Sequence, residues 1–155
     1  MVQVNVNKLT HSSKPTTAPI GTDRVIAALH TLAHRHSVSL VATRLLSRSA
    51  GARQRVRADD DAATISGQWA AIRSAFEDSN TVLLYHLENH YSLVYALREW
   101  AFVGSVVDGE ERLRLVRQLL VAKPGQSPNR WLALEDVRAC VLGWSGYALL
   151  QVVRD

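Results

Sequence analysis

Histidines are the side chains whose type and spacing come nearest to a chemical site in this chain. His86 and His90 are four residues apart, at the end of the run TVLLYHL and at the start of the run HYSLVYALREW. Glu88 and Asn89 lie between them and predict a tight turn. A histidine held at the start of a strand can act as a general base if a neighbour fixes its ring. His90, with Asn89 beside it, is therefore the candidate catalytic residue. The competing interpretation is a turn histidine that hydrogen-bonds the backbone.

Three further histidines form the pattern HxxxHxH at His30, His34 and His36. Residues four apart share one face of a helix, so His30 and His34 meet the first geometric requirement of a zinc site. No obvious cysteine or carboxylate completes the ligand set, and only the distant His86 and His90 could add to it. We therefore expect neither a metal nor another cofactor.

The single cysteine, Cys140, is the other possible nucleophile. It shares the apolar stripe of a helix predicted over 135–144 with Val137, Val141 and Trp144. Free cysteine usually behaves as a small buried hydrophobe, and no basic residue is adjacent on the helix to activate the thiol. A lone cysteine also excludes an internal disulfide framework and suits a reducing compartment. Cys140 is therefore expected to be a core residue.

Composition and charge set the class of protein. The chain has 155 residues, 47% of them hydrophobic, and a net charge of +4, which is typical of one soluble globular domain. No apolar run is long enough to span a bilayer, and the first residues lack the apolar core of a secretory signal. We expect a cytoplasmic protein, or a nuclear one, with no membrane partner.

The basic residues have one dense cluster, which is followed at once by an acidic one. Its arginines are Arg48, Arg53, Arg55 and Arg57, and the aspartates are 59–61. Opposite charges in one polar stretch indicate a solvated linker over 51–64 rather than a nucleic-acid surface. We therefore do not expect this cluster to bind nucleic acid, although the basic balance of the chain permits such a partner.

Hydrophobic periodicity predicts an α+β fold. Helices come first and strands later, without the alternation that gives a parallel sheet. We expect a flexible arm over 1–20 and one domain over 21–155, with three N-terminal helices on one face of a four- or five-stranded antiparallel sheet. Trp69 and Trp144 should be buried, since each lies on the apolar stripe of a helix. The predicted helices are 23–36, 39–49 (ended by Gly51), 65–78 and 135–144; the predicted strands are 81–87, 90–103, 112–122, 131–134 (or a helix lead-in) and 147–153, with a hairpin turn at Asp108-Gly109.

The C-terminal half resembles a known family. NHYSLVYALREW, then RQLLVAKPGQSPNRW, then GWSGYALLQV, is similar to the C-terminal module of the basic immunoglobulin-like variable motif-containing protein family. More distantly, residues 81–153 resemble papain-like peptidases of the bacteriocin-processing type. That resemblance implies a papain-like half, with His90 in the place of the catalytic histidine.

The same resemblance implies an incomplete catalytic set. Lys123 stands where those peptidases have an aspartate, and Ile20-Gly21 stands where they have Cys-Gly. An isoleucine cannot attack a carbonyl carbon, and a lysine cannot orient an imidazolium.

Three functions follow, in order of preference. The first is a non-catalytic binding or interaction module whose degenerate cleft accepts a peptide or protein partner. Its expected binding residues are His86, His90, Tyr91 and Lys123. The alternative is a papain-like cysteine hydrolase or transferase that uses His90. The weaker alternative is a basic nucleic-acid-associated protein.

Overall fold

The structure is a computed structural model, and it describes residues 20–154 apart from 88, 89, 108, 109 and 124. The described part is an α+β fold with three helices and two sheets, which confirms the predicted fold class. The predicted turns at Glu88-Asn89 and Asp108-Gly109, and the N-terminal arm up to residue 19, lie outside the described residues. The helices are α1 (Thr22–Arg35), α2 (Ala62–Glu77) and α3 (Leu134–Gly143); the strands are β1 (Leu40–Ser47), β2 (Gln54–Arg55), β3 (Thr81–Leu87), β4 (His90–Leu93), β5 (Ala96–Val107), β6 (Glu110–Ala122), β7 (Pro128–Ala133) and β8 (Leu149–Arg154).

The larger sheet has the strand order β2-β1-β8-β3-β4. Strand β8 lies at its centre and pairs antiparallel with both β1 and β3, whereas β2 runs parallel to β1. Leu149 and Leu150 point to opposite faces of β8, and both are fully buried. The apolar run LLQVV is therefore typical of a strand that is covered on both sides.

The smaller sheet has the order β5-β6-β7 and is antiparallel throughout. The single strand predicted over 90–103 is wrong, because the chain changes sheets at Val94 and Tyr95. The Val94 N–H donates to Leu83 in the larger sheet, and the next N–H, of Tyr95, donates to Leu120 in the smaller one. Alternating hydrophobicity continues through this change, so the sequence pattern does not reveal it.

The helices cover both faces of the larger sheet. Val25 of α1 packs with Leu150 on one face, while Trp69 and Ile72 of α2 pack with Leu83 on the other. The prediction that the N-terminal helices share one face is therefore wrong. The main core lies on the α2 side, where α3 and the smaller sheet also contribute buried side chains.

The helix predicted over 39–49 is also wrong, because these residues form β1, and Gly51 ends no helix. The register between β1 and β8 shifts between Arg44 and Leu46, which marks a bulge. Both Leu45 and Leu46 are buried in the main core. Such a bulge breaks strict alternation and imitates helical spacing, while pairing with β8 determines the strand.

The segment predicted as a solvated linker is instead partly built into the fold. It contains β2 and the buried Val56. Asp61 begins α2 as its N-cap, since its side chain accepts a hydrogen bond of 2.8 Å from the Thr64 N–H. The neighbouring Asp60 forms an ion pair of 3.0 Å with Arg138 of α3.

The two tryptophans predicted to be buried differ. Trp69 is 3% exposed, which confirms its place in the core, whereas Trp144 is 40% exposed. Trp144 is the C-cap of α3 and has an extended backbone, so it does not continue the apolar stripe of that helix. Within the described residues, no helix is both long and apolar enough to cross a membrane.

Candidate functional site

A groove of about 610 Å³ opens between β4 and the loop that joins β6 to β7. It brings together His90, Tyr91 and Lys123, three of the four binding residues named from the sequence. The other lining residues include Leu93 at the end of β4, Tyr95 just after it, and residues 125–127 of the loop. Among the described lining residues, none belongs to α1.

His90 links the two sides of the groove, β4 and the end of β6, by a hydrogen bond. Its Nε2 lies 3.0 Å from the carbonyl oxygen of Ala122, at the end of β6. The N–H of the same Ala122 donates to the Ser92 hydroxyl at 2.9 Å, and this hydroxyl donates to the Leu93 carbonyl. Because a carbonyl can only accept, His90 carries its proton on Nε2 in this contact. The ring therefore hydrogen-bonds the backbone, as in the interpretation of His90 as a turn histidine.

His86, the fourth binding residue named from the sequence, is fully buried and does not line the groove. Its ring stacks on Tyr91 with centroids 4.0 Å apart and an interplanar angle of 11°. Tyr147 meets the His86 ring edge-on at 4.9 Å, and Trp144 does so at 6.0 Å. Since Tyr91 also lines the groove, it connects the groove to this aromatic cluster of His86, Tyr91, Trp144 and Tyr147.

The polar contacts of His86 determine its protonation. Its Nδ1 lies 3.0 Å from the Gly146 carbonyl and 3.4 Å from the Thr22 hydroxyl, which itself donates to that carbonyl at 2.6 Å. Nδ1 must therefore carry the proton. Nε2 is buried and has no hydrogen-bond partner among the described residues. Burial lowers the pKa of His86 and nearby His90 adds to this, whereas the Gly146 contact acts in the opposite direction.

The start of α1 therefore faces His86, and not the His90 that the resemblance indicates. Thr22 is the first residue of α1, and Gly21 is its N-cap. The preceding Ile20 contributes its carbonyl oxygen, which accepts a hydrogen bond of 3.1 Å from the Tyr91 hydroxyl. The alternation of β3 places His86 on the same face as Leu84, the face that α1 covers, and this signal could have identified the pair.

The remaining candidates from the sequence lie elsewhere. Cys140 packs against the main core, and its thiol lies beside the Tyr85 hydroxyl, whose pKa is raised by burial and by that thiol. His30, His34 and His36 are exposed on and just after α1. Across the described ranges, no three side chains of the metal-binding types lie close enough together to hold an ion.

The lining of the groove defines what it can bind. Leu93 and Tyr95 are 42% and 46% exposed, and Lys123 is an exposed cation beside them. None of the lining residues that the structure describes is an aspartate or a glutamate. An apolar wall next to the cation of Lys123 suits a ligand that has an apolar group beside an anionic one.

Comparison with known proteins adds no relative. No protein-family model, no curated protein and no solved structure matches the chain. Its resemblance to papain-like peptidases therefore stays a prediction.

Proposed function

We propose that this protein is a non-catalytic binding module whose groove beside β4 takes an extended segment of a partner protein. The observation that supports this most directly is the pair of exposed side chains, Leu93 and Tyr95, beside Lys123 in a groove whose described lining has no carboxylate. Neighbouring exposed apolar side chains on a protein surface often mark a binding site. The favoured segment has a large apolar residue next to an aspartate or a glutamate, because Lys123 would pair with the acid.

Three contacts support a non-catalytic role. The Nε2 of His90 is engaged by the Ala122 carbonyl, so this nitrogen is not free to take a proton from a nucleophile. The Ser92 hydroxyl is buried and both accepts and donates hydrogen bonds to the backbone. Cys140 lies against the main core beside Tyr85 rather than in the groove.

A degenerate papain-like scaffold is part of the same proposal. Chemistry of that type needs a thiolate at a helix N-terminus facing an imidazole. At the first turn of α1, Thr22 and His86 have this relation, with a hydroxyl instead of a thiol. Both side chains are buried, so no substrate reaches them in this conformation. This arrangement supports a scaffold without the reaction.

The groove is tested with an array of capped peptides that vary one apolar and one acidic position. Wild-type protein should retain peptides with adjacent apolar and acidic residues. Leu93→Ser and Lys123→Gln should each weaken that binding by about tenfold, equivalent to about 1.4 kcal/mol. Val41→Ser is the matched control, because Val41 has nearly the same exposure, 43%, and lies on β1, away from the groove. Failure to retain any peptide, or equal losses in Leu93→Ser and Val41→Ser, would contradict the proposal.

The hydrolase alternative has its own assay. The protein is incubated with fluorogenic peptide amides, and release of the fluorophore is compared for wild type and His90→Ala. We expect no release above the buffer blank from either protein. Turnover that disappears in His90→Ala would replace the binding module with the papain-like hydrolase or transferase.

A further inference from the structure

The smaller sheet has one face that does not enter the core. Opposed residues in an antiparallel pair share a face, and Leu97, Leu119 and Leu132 lie opposite one another on the inner side. The register therefore sets Arg98, Trp100 and Phe102 of β5 on the outer side. Their register partners on β6 are Gln118, Val116 and Arg114, and Trp131 of β7 lies on the same side.

Aromatic rings and cations alternate on this outer face. Trp100 and Phe102 are 41% and 43% exposed. The guanidinium of Arg98 lies 4.0 Å above the Trp131 ring and 5.1 Å from the Trp100 ring, and its Nε donates to Gln118 at 2.7 Å. These contacts hold Arg98 between the two indoles, so its charge is fixed beside exposed ring surface.

A second cation, Arg114, packs its side-chain stem over a glycine. A Cβ atom at Gly104 would lie 2.3 Å from Cδ of Arg114, so the stem of Arg114 occupies the space over this glycine. Arg114 also faces Phe102 across the strand pair. Each exposed ring therefore has one arginine beside it, Arg98 next to Trp100 and Arg114 opposite Phe102.

Among the outer-face side chains that the structure describes, between 96 and 104 on β5, between 113 and 120 on β6 and at Trp131 on β7, there is no acid. The one glutamate in the described part of β5, Glu99, belongs to the inner side, where it pairs with Arg117 at 2.7 Å and with Arg73 at 3.7 Å. At the β7 edge, Lys123 and Arg130 line a shallow depression of about 560 Å³ together with Trp131. The described charges of this face are therefore all positive, and Lys123 lies beside Trp131 at its β7 edge.

We infer that this outer face binds single-stranded nucleic acid, with bases stacked on Trp100 and Phe102 and phosphates paired with Arg98 and Arg114. Aromatic rings interleaved with arginines on an exposed sheet match a ligand that alternates flat bases with negative charges. Lys123 extends the path of the phosphates beyond Trp131. A duplex keeps its bases stacked within itself, so it cannot use the rings.

The charge pattern favours this ligand over a protein surface. A protein partner would have to provide a carboxylate of its own at each buried arginine, since burying an unpaired cation is costly. The polyanion neutralises them instead, and its net attraction agrees with the chain's charge of +4. This site is separate from the peptide groove, although Lys123 borders both.

The test is fluorescence anisotropy with a labelled oligothymidylate of about 12 nucleotides, a length within the usual site sizes of such proteins. Trp100→Ala and Phe102→Ala should each weaken binding by about 5- to 150-fold, the range that corresponds to one stacked base. Val103→Ala is the matched control, since Val103 is similarly exposed on the inner side of the same strand and should leave affinity unchanged. An abasic oligonucleotide of equal length, and a duplex, should both bind more weakly than the single strand.

Salt dependence tests the phosphate contacts. The logarithm of the affinity should fall linearly with the logarithm of salt concentration, at about −0.7 for each phosphate contact. Arg114→Gln should therefore reduce the steepness by about 0.7, whereas Arg35→Gln, an exposed charge change on α1, should not.

Three outcomes would overturn the inference. The first is the absence of binding at low salt, and the second is equal loss in Phe102→Ala and Val103→Ala. The third is self-association of the wild type, seen by sedimentation and removed by Phe102→Ala, without oligonucleotide binding. That result would assign the face to a second copy of the chain.

Discussion

Arg138 of α3 pairs with Asp60, 78 residues earlier, at 3.0 Å between Nη1 and Oδ2, and the two side chains are only 9% and 6% exposed. The same Oδ2 accepts hydrogen bonds from the Arg57 N–H at 2.9 Å and from Gln68 Nε2 at 2.8 Å. Arg138 also donates to the Arg57 carbonyl at 3.1 Å. One carboxylate thus joins the segment before α2 to both α2 and α3.

Replacing Asp60 by asparagine should destabilise the fold by about 2–3 kcal/mol, because it leaves the buried Arg138 without a countercharge. Burial alone would raise the pKa of Asp60, but the hydrogen bonds from Arg57, Gln68 and Arg138 outweigh it and lower that pKa. Urea denaturation near neutral pH measures the loss. Asp59→Asn is the control, since Asp59 is exposed and should change stability by less than about 0.5 kcal/mol. Equal effects of the two substitutions would show that the ion pair contributes no stability.

Acidification should destabilise the protein through His86. Its pKa in the folded state is lowered, mainly by burial, below the value of about 6.5 for a free imidazole. Below that pH the unfolded chain binds a proton that the folded protein refuses, so the free energy of unfolding falls as pH falls. This contribution is complete above about pH 6.5 and decreases by up to about 1.4 kcal/mol for each pH unit below it.

The measurement for His86 is the slope of unfolding free energy against pH between about 5 and about 7. His86→Gln should flatten this slope whatever its effect on absolute stability. His30→Gln removes an exposed histidine from α1 and should retain the slope. A slope that is the same in wild type and His86→Gln would assign the acid sensitivity to another group.

The two tryptophans should respond differently to truncation. Trp69→Ala removes a ring from the main core and should cost about 3–5 kcal/mol. Trp144→Ala removes a ring that is 40% exposed, with its contacts mainly to Tyr147 and His86, and should cost about 1–2 kcal/mol. Urea midpoints at equal m-values compare them directly. If Trp144→Ala costs as much as Trp69→Ala, the aromatic cluster is as important to stability as the main core.

The sequence predicts the parts of this fold that depend on local pattern. Helices α1, α2 and α3 and strand β3 begin and end within a few residues of their predicted bounds, because each has an amphipathic or apolar run with clear ends. Strand β1 was missed because its identity depends on pairing with β8, about 110 residues later in the chain. The division of 90–103 into two sheets depends on the partners of Val94 and Tyr95, which local pattern does not encode.

The candidate site, too, has parts that the sequence predicts and parts that it does not. His90, Tyr91 and Lys123, which were named together through the papain-like resemblance, share one groove. The alternation of β3 indicates which face His86 is on, but its hydrogen-bond partners could not be predicted from local pattern, because they are Gly146, 60 residues later, and Thr22, 64 residues earlier. Nor did the linker interpretation anticipate that Asp60 is paired with Arg138, since charge runs usually indicate solvated loops.

Gly146, which lies against the aromatic cluster, should tolerate an added side chain poorly. Its carbonyl accepts from the Thr22 hydroxyl and lies within hydrogen-bond distance of His86 Nδ1, and a Cβ there would approach the Trp144 ring to 2.3 Å. Gly146→Ala must therefore displace Trp144 or the backbone, and should cost about 1–3 kcal/mol with a changed near-ultraviolet circular dichroism spectrum. Gly143→Ala is the control, since a Cβ at that end of α3 would meet nothing within 4 Å. It should change stability by less than about 0.5 kcal/mol and leave the spectrum unaltered. A Gly146→Ala protein with wild-type stability and spectrum would contradict this prediction. It would show that Trp144 can leave the aromatic cluster without loss of stability, so that Trp144 does not help to hold His86.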